Sequence, residues 1–149
     1  MSTALHLARP EDLDRVLALV TAFHAEEGLV STDEDRRAAL IPLLEGIPHG
    51  CIYLIGPARA PLGYVIVTFG WSVEFGGMDG FIDEIFIRRA VRGRGIAGNV
   101  LFELPKALAA AGLKALHLEV DRDNDPAKRL YERAKFKPRE RYILMSKKL

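Results

Sequence analysis

The chain has 149 residues, with 49% hydrophobic and 28% charged, which is the balance of one ordinary globular domain and excludes a disordered chain. A formal net charge of +1 argues against a general nucleic-acid binder, which needs a basic excess to displace counterions from phosphates. One cysteine, Cys51, excludes an internal disulfide, and His6, His24, His49 and His117 show no ligand spacing, so no metal is expected. The first residues carry no long apolar run, so neither a signal peptide nor a membrane span is expected and a cytoplasmic setting is the default.

No repeat or linker divides the sequence, and a single domain over 1–149 is expected. A short strand fits Ala4 to Leu7. Pro10, with Glu11 and Asp12 behind it, suits a helix start, and Leu13, Val16, Leu17, Val20 and Phe23 recur at helical spacing to about Glu26. Gly28 ends that helix. A second opens at Thr32, with Asp35 in the place of a capping-box acid, and Pro42 and Gly46 break or end it. Cys51 to Ile55 and Leu62 to Phe69 read as strands, with a turn between them. Trp71 to Gly80 reads as a loop or hairpin end.

Phe81 to Ile87 is apolar on both faces, as in a central strand covered from two sides. A helix is expected from Ile96 to Ala111 with Gly112 as its stop, and Pro105 inside it predicts a bend. Leu116 to Val120 reads as a strand, Pro126 to about Lys135 as a helix capped by Asp125, and Tyr142 to Met145 as a last strand. The helix between Phe81–Ile87 and Leu116–Val120 makes those two strands parallel.

The most informative stretch runs from Arg88 to Gly98, between the buried strand and a helix. Gly93 and Gly95 let backbone N–H groups approach a ligand, and the helix start at Ile96 offers unpaired donors with partial positive charge. Together they suit a pyrophosphate, and Arg88, Arg89, Arg92 and Arg94 add charge for a further phosphate. The alternative is a plain tight turn with solvated arginines. Gly98-Asn99-Val100 lacks the Gly-Lys-Ser/Thr end of a Walker loop, and the turn comes too late in the chain for a Rossmann fingerprint.

Arg92-Gly-Arg-Gly95-Ile-Ala97 matches at every fixed position the cofactor motif Gln/Arg-x-x-Gly-x-Gly/Ala, and the sequence resembles the GNAT family of N-acetyltransferases over nearly the whole element order. The resemblance implies a mixed α/β fold: a twisted, mostly antiparallel sheet of about six to seven strands with about four helices, in the order βααβββαβαβ. It implies acetyl-CoA as co-substrate. By position, Ile85, Phe86 and Ile87 offer backbone groups to the pantetheine arm, while Arg92, Gly93, Arg94, Gly95, Ile96, Ala97 and Gly98 hold the pyrophosphate. Asn124 to Phe136 resembles the family's second motif, Asn-x-x-Ala-x-x-x-Tyr followed by Gly-Phe. There Asn124 contacts the cofactor, and Tyr131 gives a proton to the departing thiolate. Lys135 stands where the family has glycine, so this helix end closes without the residue that favours a left-handed turn.

An amine attacks a thioester only as the free base. Asp83, Glu84 and Glu119 lie on the strands expected to flank the thioester, and alternation puts Asp83 and Glu84 on opposite faces. Either they serve the reaction or they pair with a nearby arginine or lysine; Glu84 is favoured as the base. Cys51 has no motif-like partner, which favours direct transfer over a covalent relay. The family resemblance places acceptor selection in the first two helices and nearby loops, where His24 and Glu27 are candidate contacts. The acceptor is expected to be a polyamine- or aminoglycoside-like amine, or a protein N-terminus or lysine. The alternative is a non-catalytic acetyl-CoA sensor or assembly module of the same fold. A homodimer is compatible with the apolar late strands.

Overall fold

The computed structural model describes residues 3–149. They form two compact units, one through Glu119 and one from Val120 to Leu149.

The first unit contains five strands, β1 (Leu5–Leu7), β2 (Gly50–Ile55), β3 (Gly63–Ser72), β4 (Gly77–Ile87) and β5 (Ala115–Leu118), and three helices, α1 (Leu13–Glu26), α2 (Asp33–Leu44) and α3 (Ile96–Ala110). The strands lie in one sheet in sequence order. The first three neighbouring pairs are antiparallel, and β4 and β5 are parallel, as the intervening helix requires.

Apolar periodicity set α1 as expected, after one 3-10 turn at Pro10–Asp12. It closes with Leu29 N–H on the His24 carbonyl at 2.9 Å, around Gly28 at φ +69°. The α2 start is also as expected: the Thr32 hydroxyl accepts the Asp35 N–H at 3.0 Å. Pro42 does not break α2, which continues to Leu44 and stops just before Gly46, because a proline near a helix end forfeits only one backbone bond. Trp71 to Gly80 is the hairpin end between β3 and β4, with more strand than a loop would have: β3 reaches Ser72 and β4 begins at Gly77, with Trp71 opposite Met78. Cross-strand pairing there overrides the loop signal of the glycines. Pro105 lies within α3, which runs unbroken through it.

One face of the sheet packs on α1 and α2. Val16, Leu17, Leu19 and Val20 meet Ile52, Leu54, Tyr64, Ile66 and Phe86 in a continuous buried cluster. On the opposite face Val65 and Val67 are fully buried, and α3 contributes the buried stripe Val100, Leu101, Leu104 and Leu108.

The pairing of β3 with β4 slips by one residue. Ile66 faces Glu84, and the next residue, Val67, faces Ile82, leaving Asp83 as the extra residue of a β-bulge. Strict alternation therefore does not hold at Asp83. Glu84 shares the α1–α2 face with Ile66, while Ile82 shares the α3 face with Val67.

The second unit holds α4 (Asp125–Arg133). Tyr142 to Met145, expected as a last strand, form none and are exposed, so the sheet has five strands and the order ends at βααβββαβα. A short apolar run makes a strand only where a partner edge completes its hydrogen bonds.

Candidate active site

The ladder between β4 and β5 stops at Ile82 opposite Leu118, while β4 continues for five residues to Ile87. From Glu84 to Ile87 the strand therefore has a ladder partner only in β3, and Asp83 is the bulge residue. That stretch contains Ile85, Phe86 and Ile87. The Ile87 carbonyl is already engaged, by Arg92 Nε–H at 2.9 Å.

The turn after β4 leads straight into α3. Gly93 and Gly95 both adopt the left-handed conformation, φ +79° and +77°, and a Cβ built on either meets no atom within 4 Å. Gly95 is the N-cap of α3, with no side chain capping it. The first intrahelical bond joins Asn99 N–H to the Gly95 carbonyl at 3.1 Å, so Ile96, Ala97 and Gly98 precede it with N–H groups that lack intrahelical acceptors. The turn is open to solvent at both glycines and carries the positive end of α3. These residues fit a pyrophosphate, and Arg94 stands exposed beside them.

Arg92 does something else as well. Its guanidinium grips Glu26 at the end of α1 with two bonds, of 2.8 and 2.9 Å, and lies 5.4 Å over the Phe86 ring. The bidentate bond holds the Glu26 carboxyl below its ordinary range. The expected phosphate contact is thus joined by a structural role that fastens the turn to α1. A groove of about 380 Å³ passes this clamp, between Leu19 and Ala22 of α1 and Phe86 of β4, so the pair meets solvent on one side. Arg88 Nε–H donates to the Pro61 carbonyl at 2.7 Å, and Arg89 is largely exposed, 3.9 Å from Glu26.

Glu84 is the best-connected of the three candidate carboxylates. Tyr64 donates its hydroxyl to Oε1 at 2.7 Å, and His24 Nε2 lies 2.8 Å from Oε2. The partner is a histidine and a tyrosine, and not the lysine or arginine of a plain salt bridge. Phe23, Tyr64 and Phe86 form an aromatic wall beside the pair, with centroids 5.7 to 6.4 Å apart. Burial first, then the Glu84 charge, raise the Tyr64 phenol far above its ordinary range, so it acts as a donor only.

Asp83 at the bulge is shifted up, first by lost solvation, then by Glu84 and Glu119, against a small opposing pull from His24. Glu119 lies just beyond β5, which ends at Leu118 and not at Val120, and is exposed. Glu27 is the exposed C-cap residue of α1. His24 and Glu84 are therefore brought together, and Glu27 is not part of that cluster. Tyr64, Ser31 and Arg36 join it although the sequence singled out none of them. Tyr64 gave one signal: a single polar tip inside the apolar run Tyr64 to Val67.

Cys51 lies on β2, with its thiol pushed up chiefly by burial, which suppresses the thiolate a covalent relay needs. Among the described residues no group of His, Cys, Asp or Glu forms a metal site. No helix among them is long and apolar enough to cross a membrane.

In the second unit, Asn124 caps α4, its carboxamide oxygen accepting Ala127 N–H at 3.1 Å. The cap is not Asp125, which occupies the first turn ahead of Pro126. The expected cofactor ligand thus has its oxygen engaged in shaping the helix. Tyr131 is half-buried on α4, with its ring 6.2 Å from Phe136. Lys135 closes the helix at φ +72°, the non-glycine residue with positive φ among those described, with Phe136 N–H on the Tyr131 carbonyl at 3.0 Å. The left-handed turn forms after all, on a lysine.

A family model described as Acetyltransferase (GNAT) family matches residues 13–136. The chain belongs to the acetyltransferase (GNAT) family. A curated relative from Sodalis glossinidius, Acetyltransferase SG1711, is 32% identical over 77 residues, which are 50% of this chain and 54% of the relative. The matched stretch thus spans about half of the relative's length. An integron cassette protein from the mobile metagenome of Cole Harbour Salt Marsh superposes with a TM-score of 0.83 at 29% identity, covering 96% of this chain and 89% of its own. AAC(6')-Iy, solved in complex with the bisubstrate analog CoA-S-monomethyl-acetylneamine, shares the fold with a TM-score of 0.81, at 14% identity over 100% of both chains.

Proposed function

We propose that this chain is an acetyl-CoA-dependent N-acetyltransferase that moves the acetyl group directly to a primary amine. The observation that carries this reading is the uncapped start of α3 behind two left-handed glycines, placed directly after the part of β4 that β5 leaves unpaired. A diphosphate needs several convergent backbone donors, and an amide-bearing arm needs an open strand edge. Both occur here within one strand-to-helix connection. A solved protein of the same fold holds a bisubstrate analog built on CoA, which agrees with the reading.

Acetyl-CoA supplies the activated acyl carbon and a thiolate leaving group. Gly93, Arg94, Gly95, Ile96, Ala97 and Gly98 hold the pyrophosphate, with Arg92 fixing the turn and Asn124 adding a contact; Ile85, Phe86 and Ile87 align the arm. Glu84 takes the proton that the amine must lose. With Tyr64 and His24 each on one oxygen, its carboxylate keeps further lone pairs for an ammonium or an intervening water. Tyr131 returns a proton to the sulfur. Asp83 and Glu119 add negative charge that favours a cationic acceptor.

The acceptor in this reading is a small polyamine- or aminoglycoside-like molecule, with a protein N-terminus or lysine as the second class; His24 and Glu27 lie at its entry. Carboxylate, imidazole and phenol gathered on one buried face favour an enzyme over a sensor module. The test is a panel of amines with acetyl-CoA, followed by thiol release. At least one amine should be acetylated, with double-reciprocal lines that intersect. Glu84→Gln should lower kcat/KM by about 10²-fold or more on that amine. Full activity of Glu84→Gln across pH would remove it from the mechanism, and parallel lines would contradict direct transfer.

A further inference from the structure

Both ring nitrogens of His24 are bonded. Nδ1 lies 3.2 Å from Ser31 Oγ and Nε2 lies 2.8 Å from Glu84 Oε2. Which nitrogen carries the proton follows from what stands behind each partner. Arg36 can only donate, and its Nη1 gives bonds to the Ser31 carbonyl at 2.7 Å and to Ser31 Oγ at 2.9 Å. That bond takes one of the two Oγ lone pairs and disfavours a second donor there, so the Ser31 hydroxyl proton turns to Nδ1, while the Glu84 carboxylate, which only accepts, favours a donor at Nε2. An imidazole that accepts at Nδ1 carries its proton on Nε2 and donates it to the carboxylate. Tyr64 donates to the other oxygen. Every bond in the series points toward Glu84.

We propose that the Arg36–Ser31 pair fixes His24 as the Nε2–H tautomer, which makes Ser31 and His24 positioning residues for the Glu84 carboxylate. The functional part of this inference rests on Glu84 being the group that takes the amine proton. The logic is that of an oriented imidazole in other proton-transfer sites, with the hydroxyl and the guanidinium setting the tautomer.

The groups that act on the pair come from several elements. Arg36 on α2 lies on the Nδ1 side, one hydroxyl away. Asp83 on β4 interacts electrostatically with both Glu84 and His24, Glu119 acts on Asp83, and Tyr64 on β3 donates from below. If Ser31 loses its hydroxyl, Nδ1 loses its donor and the ring is free to hold its proton there. Nε2 then turns a lone pair on Glu84 Oε2, an arrangement that suits only a protonated carboxyl. Removing Ser31 Oγ should therefore disfavour the ionised carboxylate from three atoms away.

The direct test is a nitrogen-15 spectrum of the imidazoles of histidine-labelled protein, recorded above the pH range in which free imidazole titrates. His24 is assigned by its loss in His24→Gln. The ring should show Nε2 protonated and Nδ1 bare in the wild type. In Ser31→Ala a population protonated at Nδ1 should appear, and Ser31→Thr, which keeps a hydroxyl, should restore the first pattern. A wild-type ring protonated at Nδ1 overturns the tautomer assignment, and a Ser31→Ala spectrum unchanged from wild type overturns the claim that the Arg36–Ser31 pair sets it.

These spectra need no turnover, so they decide the tautomer even if no amine is acetylated and the proposed function falls. With an acceptor in hand, the positioning role has its own readout. Ser31→Ala and His24→Leu should each move the acidic limb of the kcat/KM profile to higher pH, the direction a lost donor requires. His24→Gln, whose amide still donates, should keep the limb near wild type. A limb that stays put in both Ser31→Ala and His24→Leu overturns that role.

Discussion

Arg92 and Glu26 stand 66 positions apart in the chain and meet in a bidentate bond of 2.8 and 2.9 Å. The bond ties the turn that opens α3 to the last residue of α1. The arginine of the motif is thus held at a fixed angle, and the same residue also clasps the Ile87 carbonyl. Preorganised donors lose little freedom when a ligand binds.

Breaking this clamp should hurt binding more than folding. Both side chains are partly exposed, 39% for Arg92 and 29% for Glu26, so solvent screens the pair and its stability contribution is below about 1 kcal/mol. Glu26→Ala should move the urea midpoint little and weaken acetyl-CoA binding several-fold. The pair also carries a pH signature. Its depressed carboxyl contributes stability above the ordinary value of 4.5, and that contribution disappears as pH falls through the lower folded value. Denaturation at neutral and acid pH, with and without Glu26, checks both statements.

Asp83 has the opposite sign. Its carboxyl is raised from 3.8 by desolvation and by the neighbouring Glu84 and Glu119, so the ionised form is a liability in the folded state. Asp83→Asn should raise the urea midpoint slightly at neutral pH, because Asp83 is exposed and solvent screens most of the penalty. The gain should shrink as pH falls through the raised folded value and vanish below 3.8, where both states are protonated. A midpoint that drops in Asp83→Asn at neutral pH contradicts this picture.

Tyr64 is fully buried, and its hydroxyl bonds Glu84. Tyr64→Phe leaves a carboxylate oxygen without its donor, at a cost of about 1–3 kcal/mol by urea unfolding. In a Glu84→Leu background the same substitution should cost markedly less, since there the hydroxyl has lost its acceptor. Equal costs in the two backgrounds would show that the bond contributes nothing.

At the end of α4, Lys135 holds a backbone angle, φ +72°, that a Cβ disfavours. Lys135→Gly should stabilise the second unit by about 0.5–1 kcal/mol, the relief from strain exceeding the added freedom of the unfolded chain. Slower amide exchange at Phe136, whose N–H closes the helix on Tyr131, is the local readout.

The sequence made α1, α3 and the central strands legible because their signals are local: apolar residues at helical spacing, a glycine stop, a buried run between turns. The parallel pairing of β4 and β5 followed from the helix between them. The glycine turn was legible for the same reason, since Gly93 and Gly95 are needed where φ is positive. What was not legible depends on partners far away. The bulge at Asp83 is a matter of register with Ile66 and Val67, and no composition encodes it. His24 and Glu84 were both singled out, yet their bond spans 60 positions and only the α1–sheet packing creates it. Tyr142 to Met145 is an apolar run that suits a strand without forming one, because pairing is decided by an available edge.

The central claim is that the turn from Gly93 to Gly98 receives the diphosphate of acetyl-CoA, and calorimetric titration with acetyl-CoA tests it most directly. Wild type should bind in a way that weakens with added salt, and Gly95→Trp, checked for an unchanged circular-dichroism spectrum, should lose binding by at least about tenfold. A wild-type protein that binds no acetyl-CoA, or a folded Gly95→Trp that binds as tightly as wild type, would contradict the account.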